Sequence, residues 1–416
     1  MAEAASGRAA SGLITGWKQI ARHFAKDERT VKRWAQSKRL PVRRTPGQGR
    51  SAVFAYVSDL NSWLTQHAAG NADTETRLTE LPADGGAGSG KRWPSQAVSD
   101  LYLDGAFLWQ KRTKESLARA IETFQRAGSL DPNYAPTFAG LATTYDLLVE
   151  VGGVPPEEGY ELARTAANRA IMLDPGLAQA HSVLADVMFF GAHQIDEGLA
   201  KFAQAAALDL RNAQARQWYA AALLFAGRYR EAQVEIDKAR MLAPESRSIL
   251  ATKGLILLGA RDLTSAETLL SRLASDEPGY RLPCFFLSFV HLAQGRHADY
   301  LARLEKWFEL AGDRRGDGIV AAGKRGLAMA GPQGMTGAMI EEAARQTNGE
   351  PSDPYFRYFL AHLDALAGRW HDAVQGLGAL KTRHAFYYVV DPAFAEARQN
   401  PSLRERIAMT GLPVVP

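Results

Sequence analysis

Residues 220–244, AAALLFAGRYREAQVEIDKARMLAP, decide the fold of most of this chain. Small and large apolar residues recur in the stretch at helical spacing: Ala220, Leu223, Ala232, Ile236 and Ala239. Gly227 divides the stretch into two helices, and Pro244 ends the second one. The pattern predicts two antiparallel helices that cross at the small positions, where a large side chain would not fit.

The same pattern recurs along the chain at a regular period. Its closing proline position falls at Pro132, Pro175, Leu210, Pro244 and Pro278. The last three intervals are nearly equal, and the first is longer. We interpret residues 151–156, within the longest interval, as a lengthened turn between two helices. Because no helix pair of this kind buries its apolar face alone, the repeats must stack into one continuous core.

These residues resemble the tetratricopeptide repeat (TPR). The resemblance implies an α-solenoid of about seven helix pairs over residues 96–385, with a concave groove for a protein or peptide partner, or for self-association. Residues 386–416 are similar to the capping helix and tail that close such arrays in bacterial regulators and class III adenylate cyclases. No cyclase catalytic domain accompanies them here, so we do not expect cyclase activity.

The charge of the chain is unevenly distributed. Residues 1–68 contain 12 Lys or Arg and 4 Asp or Glu, a net charge of +8. Residues 69–416 contain 37 basic and 41 acidic side chains, a net charge of −4. A short basic segment joined to a long, mildly acidic one predicts that the amino-terminal segment binds a polyanion.

The basic segment has the pattern of a small helical domain with a hairpin. Apolar residues on one face predict two helices joined by a turn: Trp17, Ile20, Ala21, Phe24, Val31 and Trp34. Two short extended runs, near residues 40–44 and 52–56, flank an Arg- and Gly-containing tip and predict a β-hairpin. A last short helix over residues 58–64 covers the apolar side.

Over residues 12–67 this segment resembles MerR-like or excisionase-like winged helix-turn-helix domains. The resemblance implies binding of double-stranded DNA, with Arg29, Lys32 and Arg33 on the recognition helix. Arg43, Arg44 and Arg50, on and around the wing, would follow the adjacent DNA backbone. The alternative is a module of the same fold that makes protein contacts instead of binding DNA.

Residues 68–95 have the small, polar composition of a flexible linker. Within them, residues 85–91 match the phosphate-binding pattern G-x-x-x-x-G-K. Arg92 follows where Ser or Thr must bind Mg²⁺, and no predicted strand precedes the loop. We therefore expect no nucleotide site and no other cofactor.

The sequence offers little enzymatic chemistry. Its single cysteine, Cys284, lies in an apolar run, and its nine histidines are scattered without metal-ligand spacing. No apolar stretch long enough to span a membrane occurs, and the single cysteine favours a reducing compartment, so we expect a cytoplasmic protein. The predicted fold class is therefore mostly α: a winged helix-turn-helix domain followed by a TPR solenoid. The favoured function is a bacterial DNA-binding regulator without enzymatic activity, and the alternative is a TPR adaptor or scaffold.

Overall fold

The chain divides into two compact units, residues 1–91 and residues 92–416, and each is considered by itself. In the computed structural model the described residues are 13–15, 17, 20–21, 28–37, 40, 42–44, 53–56, 60, 94–347 and 353–414.

The described part of the amino-terminal unit contains a small antiparallel sheet and a helix. The strands are β1 (Leu13–Thr15), β2 (Arg43–Arg44) and β3 (Val53–Tyr56), in the order β1-β3-β2. The helix α1 spans Glu28–Ser37. The unit has its own buried core: Ile20, Ala21, Val31, Leu40, Ala55 and Leu60. The antiparallel pairing of β2 with β3 matches the expected hairpin, but the turn at 22–27 and the tip at 45–52 lie outside the described residues. The winged helix-turn-helix therefore stays a prediction.

The second unit is built from consecutive helices. They are α2 (Gln96–Trp109), α3 (Lys114–Leu130), α4 (Ala135–Glu150), α5 (Pro156–Leu173), α6 (Ala178–Asp186), α7 (Ile195–Leu208), α8 (Ala213–Phe225), α9 (Tyr229–Leu242), α10 (Arg247–Gly259), α11 (Leu263–Asp276), α12 (Leu282–Ala293), α13 (His297–Ala311), α14 (Arg315–Gln346), α15 (Pro354–Leu366), α16 (Trp370–Leu380), α17 (Ala395–Gln399) and α18 (Pro401–Ala408). Each helix up to α16 packs against the next, so that they form stacked antiparallel pairs.

The small residues stand where the sequence predicts close helix crossings. In the pair α8–α9, Ala220, Ala232 and Ala239 are fully buried, as is the large Ile236 that fills the adjoining space. The predicted lengthened turn falls between α4 and α5. Along this unit the structure confirms the TPR-like helical-repeat fold that the periodicity predicts.

Two interruptions shape individual helices. Residues 187–191, directly after α6, form a π-helical turn that carries Phe189 and Phe190 into the core. Helix α14 is broken at Ala330–Gly331, where Gly331 has a φ of 66° and Pro332 begins the second segment. A left-handed φ followed by proline is a conformation that glycine adopts without strain, so the break is encoded locally.

The carboxy-terminal segment differs from the single capping helix predicted over 386–416. Residues Arg383–Val389 and Pro392–Phe394 form two 3₁₀ turns, followed by the short helices α17 and α18. Phe386 packs against Phe189, Phe190 and Phe225, and Tyr387 packs against Phe285 and Tyr358. These partners belong to α8, α12 and α15 and to the turn after α6, so the segment occupies the groove between the first helices of successive pairs.

Across the described residues, no helix is both long and apolar enough to cross a membrane.

Candidate binding cavity on the repeat array

An open cavity of about 950 Å³ lies on the array unit. It is lined by residues 110–114, Glu150, Val151, Ala213, Gln214, Gln217, Ala243, residues 245–249, residues 279–282, Leu310, Ala311, Asp353 and Tyr355. The volume is within the range of cavities that hold small ligands or peptide side chains. Because its lining comes from turns and helix ends far apart in sequence, the cavity exists only once the pairs have stacked.

Five helices begin at this cavity: α3, α8, α10, α12 and α15. Thr113 caps α3 by accepting a hydrogen bond from the Ser116 N–H at 3.2 Å. Asn212 caps α8 by accepting a hydrogen bond from the Ala215 N–H at 2.9 Å, and Asp353 caps α15 by accepting from the Tyr355 N–H at 3.0 Å. No side chain caps α10 or α12. The first backbone N–H groups of α10 therefore remain available, at the positive end of the helix dipole. At α12 the same holds only for the Leu282 N–H, because Pro283 has no N–H and those of Cys284 and Phe285 donate to the Arg281 carbonyl at 3.1 and 3.3 Å.

Five cationic side chains line the same cavity: Lys111, Arg112, Lys114, Arg247 and Arg281. Two of the guanidinium groups rest on tyrosine rings, Arg247 at 4.9 Å from the centre of Tyr280 and Arg281 at 4.6 Å from that of Tyr355. A guanidinium on an aromatic face keeps its N–H donors free at its edge. These groups can bind an anion.

Glu150 forms the acidic side of the cavity and is almost fully buried. Arg112 contacts it at 3.2 Å and Arg383 at 3.5 Å. Burial by itself would raise the pKa of Glu150, but the surrounding positive charges, Arg383 and Arg112 before Arg281, together outweigh burial and lower that pKa below its ordinary value. Glu150 is therefore an ionised group whose charge is already compensated.

Arg383 also ties the carboxy-terminal segment to the first half of the array. It contacts Asp146 at 3.1 Å and Asp186 at 2.9 Å, two residues far away in the sequence. Burial, together with the neighbouring Asp186 carboxylate, raises the pKa of Asp146 well above its ordinary value. Two buried carboxyls held against one guanidinium favour a shared proton.

A second buried network resembles a catalytic relay in its geometry. His362 Nδ1 lies 2.7 Å from Asp391 Oδ2, and its Nε2 lies 2.8 Å from the hydroxyl of Tyr300. Tyr358 donates to the same Asp391 oxygen at 2.7 Å. None of these residues lines the cavity, and both His362 and Asp391 are buried. The network fixes the 3₁₀ segment onto α13 and α15.

No protein-family model and no curated protein matches the chain. Solved structures do. A human IFIT1 dimer with m7Gppp-AAAA is 13% identical and aligns over 78% of this chain and 77% of its own, with a TM-score of 0.50. A tetratricopeptide repeat protein from Parabacteroides merdae is 14% identical over 66% of this chain and 99% of its own, with a TM-score of 0.41.

YrrB, a TPR protein with an unusual peptide-binding site, is 16% identical over 49% of this chain and 99% of its own, with a TM-score of 0.33. The array is a TPR-like helical repeat. At these identities the similarity concerns the fold, and the ligands of those proteins are their own.

The predicted DNA-contacting residues are only partly described. On α1, the Arg29 side chain is exposed, while Lys32 pairs with Glu28 at 3.0 Å and lies over the Trp17 ring at 5.8 Å. Arg33 belongs to α1, and Arg43 and Arg44 form β2, but their side chains, like the whole of Arg50, lie outside the described residues. Their role in DNA binding stays a prediction.

Sequence reasoning missed the cationic cavity, although one signal for it exists. Arg247 and Arg281 are one repeat period apart and so occupy the same position in successive repeats, at the start of α10 and α12. Lys111, in the turn before α3, and Lys114, the first residue of α3, follow no such periodicity. Only the stacked fold brings the two lysines to the same cavity as the two arginines.

The other predicted candidates have structural roles. Cys284 is buried in α12, as its apolar surroundings predict. Within the part of the chain that the structure describes, no group of three or more His, Cys, Asp or Glu side chains could hold a metal ion.

Proposed function

We propose that this protein is an adaptor or scaffold whose TPR-like array binds a protein partner at the cavity that α8, α10, α12 and α15 border. The observation that carries the proposal is the open cavity of about 950 Å³ with free donor groups at its surface. An array of stacked helix pairs offers an extended surface of this kind for partner binding. The faces of α8, α12 and α15 that Phe386 and Tyr387 cover are not available to a partner.

Site-specific photo-crosslinking tests this proposal. A photoreactive amino acid in place of Gln214, in the cavity wall, should capture a discrete partner protein in cells. The matched control is the same amino acid in place of Arg230, an exposed position on α9 that does not line the cavity. Capture of the same proteins from both positions, or of none from position 214, would contradict an adaptor that binds at the cavity.

A second candidate is a DNA-binding transcriptional regulator, in which the amino-terminal unit finds DNA and the array receives the partner. It is favoured by the net charge of +8 in residues 1–68 and by the exposed Arg29 on α1. Removal of each phosphate-binding side chain should reduce the slope of log affinity against log salt concentration by about 0.9. The measurement is a salt titration of duplex DNA binding by the full chain and by an Arg29/Lys32/Arg33→Ala variant. Equal binding at every salt concentration would exclude this candidate.

A further inference from the structure

We infer that the partner segment that binds in the cavity is an acidic linear peptide. The inference rests on the proposed adaptor function and adds the chemistry of the partner.

The cavity gathers cations that form few ion pairs, although Arg281 lies close enough to Glu150 to help lower the pKa of that carboxyl. Within the described residues, Lys111, Lys114 and Arg281 form no ion pair, whereas many other cations of the array do, such as Arg216 with Glu235 at 2.8 Å. Arg247 reaches only Glu277, at 3.9 Å. Unpaired cations that meet at one concave surface attract a ligand with several negative charges.

The acidic residues in the cavity wall do not cancel this charge. Glu150 is paired with two arginines, and Asp353 accepts the hydrogen bond that caps α15. Glu245 is exposed and forms no ion pair within the described residues. Of the three carboxylates only Glu245 has neither an ion pair nor a side-chain hydrogen bond within the described residues, so its removal should strengthen binding.

The donors in the cavity suit carboxylates presented along a chain. The free N–H groups at the start of α10 lie next to Arg247, and the Leu282 N–H at the start of α12 lies next to Arg281. Lys111, in the turn before α3, and Lys114, the first residue of α3, line the same cavity. Charges contributed by separate elements match several carboxylates on an extended peptide better than one compact phosphate.

The rings of the cavity also favour a peptide over a nucleotide. Both tyrosines in the wall, Tyr280 and Tyr355, already have a guanidinium on one face. Tyr355 is buried, and its remaining neighbours include Phe285 and His384. Tyr355 therefore offers no open face on which a base would stack, and Arg247 covers one face of Tyr280.

Fluorescence anisotropy with the full chain tests the inference. The probe is a labelled dodecapeptide with Glu at alternate positions, and the control peptide has Gln in place of each Glu. We expect the Glu peptide to bind at least about tenfold more tightly, with an affinity that falls as salt increases. Arg247→Gln with Arg281→Gln should weaken binding about tenfold or more, and Glu245→Gln should strengthen it. Arg272→Gln, an exposed arginine on α11 away from the cavity, is the matched control and should change nothing.

Two further arms separate the alternatives. Because residues 1–68 are also strongly basic, the peptide titration is repeated with the Arg29/Lys32/Arg33→Ala variant, which should bind the Glu peptide as the wild type does. ATP is added as a competitor. Equal binding of the two peptides, insensitivity to the Arg247/Arg281 substitutions, or loss of peptide binding in the Arg29/Lys32/Arg33→Ala variant would overturn the inference. So would ATP binding that depends on Arg281 without any peptide binding.

If photo-crosslinking at position 214 still captures a partner in any of these cases, the adaptor proposal survives and only the acidic chemistry is wrong.

Discussion

Phe124 illustrates how a single side chain sets the distance between neighbouring helices. Its ring is fully buried between Gly105 on α2 and Gly140 on α4. A methyl group on Gly140 would lie 2.6 Å from this ring, and one on Gly105 would lie 2.7 Å from it. The glycines are therefore required by the close approach of the aromatic ring and not by their backbone angles.

Small residues at the other helix crossings also allow neighbouring helices to approach closely. Ala205 on α7 provides a test. Ala205 is fully buried, so Ala205→Leu should overpack the crossing and lower the free energy of unfolding by about 1–3 kcal/mol. Ala207→Leu, slightly further along the same helix but exposed, is the matched control and should change stability by less than about 0.5 kcal/mol. Urea unfolding measures the free energy of unfolding of both variants. Equal values would show that the repeat register is wrong.

Asp146 provides a test by pH. Burial and the neighbouring Asp186 raise its pKa in the folded state, so the folded protein binds a proton that the unfolded chain releases. This stabilisation is complete below the pKa that Asp146 has in the unfolded chain. It is lost as the pH rises through the higher pKa that Asp146 has in the folded protein. Asp146→Asn removes the titration. Its stability relative to the wild type should therefore increase above about pH 4, by at most about 1.4 kcal/mol per pH unit.

Urea unfolding of both proteins at a series of pH values from mildly acidic to neutral measures this difference. The unfolding free energy of Asp146→Asn minus that of the wild type should rise steadily over the series. Parallel pH profiles would mean that Asp146 titrates as an ordinary surface carboxyl does.

At the scale of elements, the helix pairs follow from the sequence and the carboxy-terminal segment does not. Pairs such as α8–α9 encode their crossing in small residues at fixed spacing, which the repeat period reveals. The 3₁₀ turns at Arg383–Val389 have no such periodicity. Their position depends on contacts with Phe189, Asp146 and Asp186, which lie in the first half of the array. No local pattern can predict a contact of that range. The cationic cavity is likewise assembled by stacking, although the one-period spacing of Arg247 and Arg281 is visible in the sequence.

Arg383 should hold this segment in the groove. Arg383→Ala leaves the buried carboxyls of Asp146, Asp186 and Glu150 without their shared cation, and breaking a buried pair costs about 3–5 kcal/mol. Thermal and urea unfolding should show a loss of this size. Arg272→Ala, which removes an exposed pair with Asp276, is the control and should cost under about 1 kcal/mol. Similar losses in both variants would mean that the buried cluster does not anchor the segment.

At the scale of the whole molecule, the amino-terminal and array units differ in charge and in construction. Residues 1–68 carry a net charge of +8 and residues 69–416 a net charge of −4. Each unit has its own buried core, the smaller one formed around Ile20 and Val31. Two cores imply that each unit can fold without the other.

Limited proteolysis tests this independence on the full chain. The residues between the two cores, 68–95, are rich in Gly, Ala, Asp and Thr, a composition that cannot bury a core of its own. Proteases cleave first where the backbone can adopt an extended conformation in the enzyme, so the first cuts should fall in this range and leave two resistant fragments. Mass spectrometry of the earliest products identifies the sites. Arg77, Lys91 and Arg92 make trypsin a suitable probe, and Glu75 and Glu80 allow the same test with a glutamate-specific protease. First cuts within the helices between positions 100 and 300, with the range 68–95 intact, would contradict two independent units. In that case the amino-terminal unit and the array would have to be treated as one cooperative structure.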